Sequence, residues 1–208
     1  RFGHAYGRHI DTLERSVLKR WLAGSPPEEV VDIGCGTGRL LDFARTGVDA
    51  SPEMLAVAAA KHPEARLVVS SLPNLDLPEA GFAAATCFHV FMHLEPDLVA
   101  ASLAEIARVV RPGGRLVFDI PGRLRRSLGR PRTREVSWHA ETSGSAKEIM
   151  QWAGPSWRIR RRTGLLVLPM HRAPGAVFAP AAVLDGWLGA SPLQPLASYH
   201  VYELERRS

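Results

Sequence analysis

Apolar side chains recur every three or four positions near the amino end of the chain, at Ile10, Leu13, Val17 and Trp21. This spacing places them on one face of a helix and predicts an amphipathic helix over residues 9–22. The segment "AGSPPEE" follows directly, and its glycine and prolines are typical of a break in regular structure. We therefore expect the helix to end before it.

Between residues 28 and 122, short apolar runs alternate with helical patterns. The runs "EVVDIG", "TGVDAS", "ARLVVS", "FAAATCFHV" and "RLVFDI" predict five strands. The segments "TGRLLDFA" and "SPEMLAVAAAKH" and residues 97–110 predict helices, the second with Ser51 as N-cap and Pro52 at its first position. Strands that alternate with helices favour an α/β fold, in which helices cover both faces of a parallel sheet.

The pattern loosens after residue 122. The basic stretch "GRLRRSLGRPRTREVSWHAETSG" predicts a long loop, because it is rich in charge and in turn-forming residues. The segments "SAKEIMQWAG" and "AAVLDGWLG" predict two further helices, and "WRIRRRTGLLVLP" and "ASYHVYELER" predict two further strands.

Composition is that of an ordinary globular protein, with 46% hydrophobic and 23% charged residues. No apolar run reaches the roughly 18 residues of a transmembrane helix, and the charged amino end lacks the apolar core of a signal peptide. Cys35 and Cys87 are too few for a disulfide framework and have no zinc ligands beside them. We expect reduced thiols, a cytoplasmic location and no membrane contact.

The stretch "VVDIGCGTGRLL" carries the main candidate chemistry. Gly34, Gly36 and Gly38 follow a strand run, and a glycine turn there can point backbone N–H groups at an anionic part of a ligand. A P-loop lysine is missing, and Arg39 stands where a dinucleotide fingerprint needs its third glycine. Asp32 would repel a pyrophosphate, so it favours a ligand that carries positive charge.

S-adenosylmethionine meets this requirement, because its amino-acid end has both a carboxylate and an ammonium and its sulfonium is a cation. A second acid supports the same ligand. Asp49 ends the second strand run, where a carboxylate can accept hydrogen bonds from both ribose hydroxyls. Ala50 follows it and can pack on the adenine ring.

Three motifs, "VVDIGCGTG", "GVDASPEML" and "LAEIARVVRPGGRLVFDI", together resemble those of the class I S-adenosylmethionine-dependent methyltransferases, in particular a small-molecule (type 11-like) branch. The resemblance spans residues 28–122. It implies a Rossmann-like, doubly wound, mostly parallel seven-stranded sheet with an antiparallel C-terminal hairpin. It also implies S-adenosyl-L-methionine as cofactor, S-adenosyl-L-homocysteine as product, and methyl transfer to an O or N atom of a small-molecule acceptor.

The resemblance also assigns cofactor-binding roles to matching positions. The glycine turn would hold the methionine end, and the adenine would lie near Ser71, which replaces the acid usual in the family. Ala83 likewise replaces a common aspartate. The predicted cofactor-binding residues are Asp32, Gly34, Cys35, Gly36, Gly38, Asp49, Ala50, Met54, Ser71, Leu72 and Phe88.

We expect one methyltransferase domain over residues 1–208. Within it, residues 1–27 would form an N-terminal helix or lid, residues 28–122 the cofactor-binding core, and residues 123–208 a variable acceptor-side half. Phe2, His4 and Tyr6 are candidates either for a lid over the cofactor or for a frayed terminus.

The segment "FHVFMHLEPD" places His89 and His93 four residues apart, at the strand edge where the family's chemistry takes place. Such a pair can bind a metal on a helix, but Val90 stands where a metalloprotease motif needs glutamate, so we predict no metal. Either histidine is a candidate base that removes a proton from the acceptor. The alternative is a structural histidine that bonds loop backbone.

The net charge of +5 conceals a concentration of arginines after residue 107. Two alternatives therefore stay open: an RNA methyltransferase that uses the basic 123–162 region, and a catalytically silent homologue that binds the cofactor. No RNA-binding module is recognisable, so we favour an anionic or aromatic small-molecule acceptor, no nucleic acid, and a monomer or homodimer. Four tryptophans are candidates for the core or for an apolar acceptor pocket: Trp138, Trp152, Trp157 and Trp187.

Overall fold

The structure, a computed structural model, describes residues 5–124, 142–168 and 175–208. Within these ranges seven strands form one sheet: β1 Val30–Ile33, β2 Thr46–Asp49, β3 Arg66–Val69, β4 Phe82–Cys87, β5 Val110–Pro121, β6 Trp157–Leu165 and β7 Tyr199–Arg206. The longer helices are α1 Ala5–Trp21, α2 Pro52–Lys61, α3 Pro96–Val109, α4 Ala146–Ala153 and α5 Gly175–Gly189. None of them is long and apolar enough to cross a membrane.

The strands lie in the order β3-β2-β1-β4-β5-β7-β6. Strands β1 to β5 pair in parallel, whereas β7 is antiparallel to both of its neighbours, β5 and β6. The predicted fold is confirmed. The chain leaves β1 toward β2 on one side and returns to β4 on the other, so the carboxyl ends of β1 and β4 mark the point where an α/β sheet binds its ligands.

Helices cover both faces of the sheet. One apolar core includes Leu103 and Ile106 of α3 and Ile149 of α4, packed against β4, β5 and β7. The opposite core includes Leu18 and Trp21 of α1, together with α2 and the other faces of the same central strands. The alternation that predicted a doubly wound sheet thus corresponds to two apolar layers.

The helix predicted over "TGRLLDFA" is wrong. Residues 36–42 form consecutive turns, in which Phe43 N–H donates to Leu40 at 2.9 Å and Leu41 N–H donates to Gly38 at 3.4 Å. The physical reason is length, because the connection between two parallel strands needs about a dozen residues even at its shortest. The segment between Ile33 and Thr46 is just long enough to cross, and it has no room for a regular helix.

The other elements agree with the sequence prediction apart from their ends. The first helix begins earlier, at Ala5, and β5 already begins at Val110, so "RPGG" lies within the strand rather than before it. Ser51 caps α2 as predicted, accepting a hydrogen bond from Met54 N–H at 3.2 Å. Most of the predicted loop after residue 122, with Trp138, lies outside the described residues, as do Phe2 and His4.

Candidate active site

Two adjoining cavities open at the carboxyl ends of β1, β2 and β4. The first, of about 320 Å³, lies over the ends of β1 and β2, and the second, of about 230 Å³, lies over the glycine turn. Gly34 and His89 line both cavities. The two spaces therefore meet at these residues, and together they can hold one elongated ligand.

The structure brings most of the predicted site residues to these cavities. The first is lined by Asp49, Ala50, Ser71, Leu72 and His93, besides the two shared residues. The second is lined by Asp32, Cys35, Gly36 and Phe88. Cys35 is a buried free thiol whose pKa is raised to about 12 by burial, so it lines the site as an unreactive side chain.

Two predicted binding residues, Gly38 and Met54, do not line either cavity. Gly38 has φ +80° and packs on α2, where an added Cβ would lie 3.0 Å from the His62 ring. It closes the turn and lets it approach the helix. The Met54 side chain is 47% exposed, and only its backbone N–H takes part in capping α2.

Asp49 is fixed at the edge of the first cavity. One carboxylate oxygen accepts a hydrogen bond from Gly36 N–H at 2.8 Å, and the other accepts one from Ser51 N–H at 2.9 Å. A carboxylate has about four acceptor positions, so two hydroxyl donors can still be accommodated. Asp49 also ties the glycine turn to the end of β2.

Four backbone donors of the glycine turn are bonded within the protein, although the sequence predicted that the turn would point its N–H groups at a ligand. Gly34 and Cys35 N–H both donate to Val48 O, at 2.8 and 3.0 Å, and Gly38 N–H donates to Cys35 O at 3.0 Å. Gly36 N–H is bound to Asp49. These four bonds hold the turn against the end of β2, so the turn forms the floor of the second cavity.

Asp32 is a buried carboxyl group facing the second cavity. Thr86 donates to it through Oγ1 at 2.6 Å. Burial raises the pKa of Asp32 to about 6, although the Thr86 hydrogen bond and the charge of Arg39 act in the opposite direction. An ionised carboxylate that is costly to keep buried is stabilised by a cation, as the sequence led us to expect.

His89 lies between two buried carboxylates. Its Nε2 is 2.8 Å from Glu14 Oε1 of α1, and its Nδ1 is 3.2 Å from Asp119 Oδ2 of β5. Its backbone N–H also donates to Asp119 at 2.6 Å, with φ at +59°. Burial lowers the pKa of His89, but Asp119 and Glu14 more than offset this, and the net pKa is raised above 6.5.

The helix α1 also holds the glycine turn. Arg39 places Nη1 at 2.7 Å from Asp11 and Nη2 at 2.8 Å from Glu14, and its side chain lines the second cavity. The Arg15 guanidinium donates to the Arg39 carbonyl at 2.5 Å. The N-terminal helix therefore contributes to the site by holding Arg39 and the glycine turn in place.

Sequence reasoning missed Glu14 and Asp119. Asp119 had a local signal, because it is the one acid in the otherwise apolar end of "RLVFDI". Glu14 had none, since an acid on the polar side of an amphipathic helix is ordinary. Only the packing of α1 on the sheet makes it a buried residue of the site.

Glu14, His89 and Asp119 also bring their potential ligand atoms within 4.8 Å of one another, the spacing of a metal-binding group. The contacts of His89 favour protons shared with the two carboxylates over a bound metal ion. The two ring nitrogens each face a different carboxylate, whereas a metal ion uses a single imidazole nitrogen. Arg39 already offsets the charge of Glu14. The predicted absence of a metal stays a prediction.

The described tryptophans do not line the two cavities. Trp157 is core, with Nε1–H donating to Leu103 O at 3.0 Å, and Trp187 is 78% exposed on α5. Trp152 lines a separate cavity of about 460 Å³ beside Arg123. Tyr6 packs against the α1 side of the core rather than over the cavities.

Comparison with known proteins agrees with this geometry. Residues 31–118 match the family model of a methyltransferase domain. A solved S-adenosylmethionine-dependent methyltransferase from Mesorhizobium loti superposes with a TM-score of 0.67 at 19% identity, covering 93% of this chain and 98% of that one. At that identity the likeness concerns the fold.

Curated relatives match about half of the chain. Malonyl-[acyl-carrier protein] O-methyltransferase of Serratia marcescens is 33% identical over 116 residues, which cover 51% of this chain and 45% of that protein. Demethylmenaquinone methyltransferase of Corynebacterium kroppenstedtii is 38% identical over 113 residues, 51% and 48% of the two chains. The chain thus spans about half the length of these relatives.

Fold and site together define a class I, Rossmann-like methyltransferase domain. The match of residues 31–118 to a methyltransferase domain, together with the shared fold, supports the class I S-adenosylmethionine-dependent methyltransferases as the family and S-adenosylmethionine as its cofactor. The family, the fold and the cofactor predicted from the sequence are confirmed.

Proposed function

We propose that this protein transfers a methyl group from S-adenosylmethionine to an O or N atom of a small-molecule acceptor. The observation that carries the proposal is the pair of cavities that meet at Gly34 and His89, with Asp49 beside one and Asp32 beside the other. The adenosine would occupy the first cavity and the methionine end the second. The sulfonium would then lie near the junction.

The relatives support a small acceptor. Their names specify a malonyl group on an acyl-carrier protein and demethylmenaquinone, of which the first is an acid and the second a quinone with an aromatic ring. Both agree with the anionic or aromatic acceptor that the sequence predicts. The acceptor atom, O or N, is part of the proposal.

His93 is the stronger candidate for a proton acceptor. It is exposed at the rim of the first cavity, in the short helical turn Phe91–His93. His89 has a carboxylate at each ring nitrogen, and these carboxylates raise its pKa, so both nitrogens face protein groups rather than a substrate. We propose a positioning role for His89 and leave catalysis mainly to alignment of donor and acceptor.

The RNA alternative receives less support from the basic strand β6. Arg161 Nε is 2.9 Å from Glu203 of the neighbouring strand β7, and Arg158 is paired with Glu205. Charges that are compensated within a sheet attract phosphates weakly. The other basic run, residues 125–134, lies outside the described residues.

The single sheet supports the proposed single domain over residues 1–208, with α1 beneath the site and the later strands continuing the core. The proposed lid in residues 1–27 begins outside the described part of the chain. The cytoplasmic location and the monomeric or homodimeric state stay predictions.

Transfer of a labelled methyl group tests the proposal. S-adenosylmethionine with a tritiated methyl group is incubated with the protein and a cell extract that has been separated into small molecules, RNA and protein. We expect label in the small-molecule fraction, and none with Asp49→Ala, which removes the proposed ribose contact. Label in RNA alone would favour the RNA alternative, and cofactor binding without any transfer would favour the silent homologue.

A further inference from the structure

The helix α5 has an apolar outer face. Its exposed side chains recur three and four residues apart, which places them on one side of the helix, and one more follows in the next loop. The exposed residues are Pro180, Val183, Leu184, Trp187 and Leu193, which we call the α5 patch. Trp187 is 78% exposed and Val183 65%. A helix that is apolar on all sides is normally buried on all sides, so the patch indicates a missing contact.

The inner face of α5 fixes the orientation of the helix. Asp185 is buried on this face and accepts hydrogen bonds from Leu166 N–H at 3.2 Å and Leu168 N–H at 2.7 Å. At the end of the helix, a Cβ added to Gly189 would collide with the carbonyl oxygen of Gly164 in β6, so the two backbones pack directly on each other. Rotation of the helix would break both contacts and leave a buried carboxyl group without its partners. The helix therefore cannot bury the patch by turning inward.

The patch lies in a part of the chain that carries almost no charge. Residues 173–198 include one charged residue, Asp185, although 23% of the whole chain is charged. Because Asp185 is buried, the exposed side chains that the structure describes between residues 180 and 197 are all uncharged. A helix that lies on a membrane surface is rich in lysine and arginine, and a charged protein partner would need an opposite charge here. An uncharged face can instead meet an identical face without repulsion.

We propose that the α5 patch binds the α5 patch of a second copy of this chain, in a homodimer with two-fold symmetry. In such a dimer the same surface of both copies meets itself. The patch exposes on the order of 500 Å² of apolar surface, in the upper part of the range for the largest patch on a monomer. A homodimer interface buries about 800 Å² of each partner, about 65% of it apolar. The patch therefore has the area of the apolar centre of such an interface.

The proposed interface uses no residue of the candidate active site. The described residues that line the two cavities lie in or after β1, β2, β3 and β4, and none of them belongs to α5. The dimer can therefore be tested independently of cofactor binding and of methyl transfer.

Sedimentation velocity over a wide range of protein concentration measures the association. The wild-type protein is compared with Trp187→Glu and with the control Val57→Glu. Val57 is also an exposed valine on a helix, 45% accessible, but α2 joins β2 and β3 at one end of the sheet, whereas α5 follows β6 at the other end. Circular dichroism confirms that each variant is folded, and Val183→Glu serves as the second patch variant if Trp187→Glu is not.

We expect the wild-type protein to change from monomer to dimer as its concentration rises. Trp187→Glu should raise the dissociation constant of the dimer about 100-fold or more, because tryptophan often dominates binding and the change is present in both copies. Val57→Glu should stay within about twofold of the wild-type value. A protein that is monomeric at every concentration, or a dimer that both patch variants leave intact, would overturn the proposal.

Acrylamide quenching shows whether the patch itself is covered in the dimer. The tryptophan emission that is lost in Trp187→Phe should be shielded from acrylamide in concentrated wild-type protein and accessible after dilution. Equal access in both states would overturn the proposal, since the dimer would then form elsewhere. Binding of monomeric protein to phosphatidylglycerol vesicles, abolished by Trp187→Glu, would also overturn it and would assign the patch to a membrane surface.

Discussion

Asp32 is a buried carboxyl group whose ionisation lowers the stability of the ligand-free protein. Its folded-state pKa of about 6 lies above the ordinary 3.8, so the folded protein holds this proton more tightly than the unfolded chain does. Ionising the group therefore costs stability as pH rises from about 4 through 6, by roughly 3 kcal/mol once ionisation is complete. A ligand cation in the second cavity offsets that cost.

Asp32→Asn should separate the two effects. We expect the ligand-free variant to be more stable than the wild-type protein at pH 7, by on the order of 1 kcal/mol, and to lose that advantage at pH 4. Its affinity for S-adenosylhomocysteine should be lower at pH 7 and should not weaken further below pH 6, as the wild-type affinity does. Urea unfolding and calorimetry measure both, with the exposed Asp76→Asn as control; unchanged binding would remove Asp32 from the site.

Among the elements, the glycine turn depends on two separate features of Gly34. Its φ of +71° is strained for any other residue, and an added Cβ would lie 2.3 Å from Val90 Cγ2. Gly113 has a similar φ of +76° but nothing within 4 Å of the Cβ position. The two glycines therefore allow strain and collision to be told apart.

Gly113→Ala should cost about 1–2 kcal/mol of stability through backbone strain alone, without affecting cofactor binding. Gly34→Ala should cost more and should also weaken S-adenosylhomocysteine, because Val90 and the turn that lines both cavities must move. Thermal unfolding and calorimetric titration of the two variants provide the comparison. Equal costs in stability, with equal affinities, would show that Val90 gives way freely.

The helix α1 is joined to the sheet through the His89 imidazole, whose raised pKa makes the docking of the helix sensitive to pH. The charged groups facing His89 are Glu14 of α1, Asp119 of β5 and Arg39 of the glycine turn, and the rings of Phe88 and Tyr199 also contact it. Because its pKa is raised in the folded protein, its contribution to stability is complete below about 6.5. That contribution is lost as pH rises through the folded-state pKa.

Glu14→Gln should lower the pKa of His89, since it removes one of the two facing carboxylates. Nuclear magnetic resonance titration of the His89 imidazole measures this directly. As pH rises above 6.5, the stability of the wild-type protein should fall by more than that of the variant. A His89 pKa that is the same in both proteins would contradict the proposed ion-pair arrangement.

The turns after the glycines show where periodicity misleads. Leu40 and Leu41 are both buried, as a helix pattern predicts, yet they are buried by consecutive turns. The hydrophobic pattern indicates which side chains face the core. It does not indicate how many residues are available for the connection between β1 and β2. By contrast, α2 was predictable because its cap is local, with Ser51 and Pro52 adjacent in sequence.

Across the whole molecule, the order of the strands in the sheet determines which charged side chains form ion pairs. Glu203 of β7 is fully buried, within ion-pair distance of Arg115 on β5 and of Arg160 and Arg161 on β6. Within the described part of the basic region, Arg158, Arg160 and Arg161 of β6 are therefore paired with acids of the neighbouring strand β7. A count of charges along the chain could not reveal this, because antiparallel pairing brings residues about 40 positions apart into register.

The site likewise combines residues that sequence motifs indicate with residues that only the fold brings together. The proposed cofactor-binding residues Asp32, Gly34 and Asp49 lie in short motifs, so their place at the cavities could be predicted before the fold was known. The residues that support the site could not be predicted in this way. Glu14, Arg39 and Asp119 come together only when α1 packs across the ends of β4 and β5. The sequence motifs indicate which residues bear the candidate chemistry, whereas the contacts that position these residues are long-range.

We propose above that the paired cavities bind S-adenosylmethionine. Calorimetric titration of the wild-type protein with S-adenosylhomocysteine, with NADH as the comparison ligand, tests this binding most directly. We expect one site per chain with micromolar affinity for S-adenosylhomocysteine and no heat of binding with NADH. Binding of NADH, or of neither ligand, would contradict it.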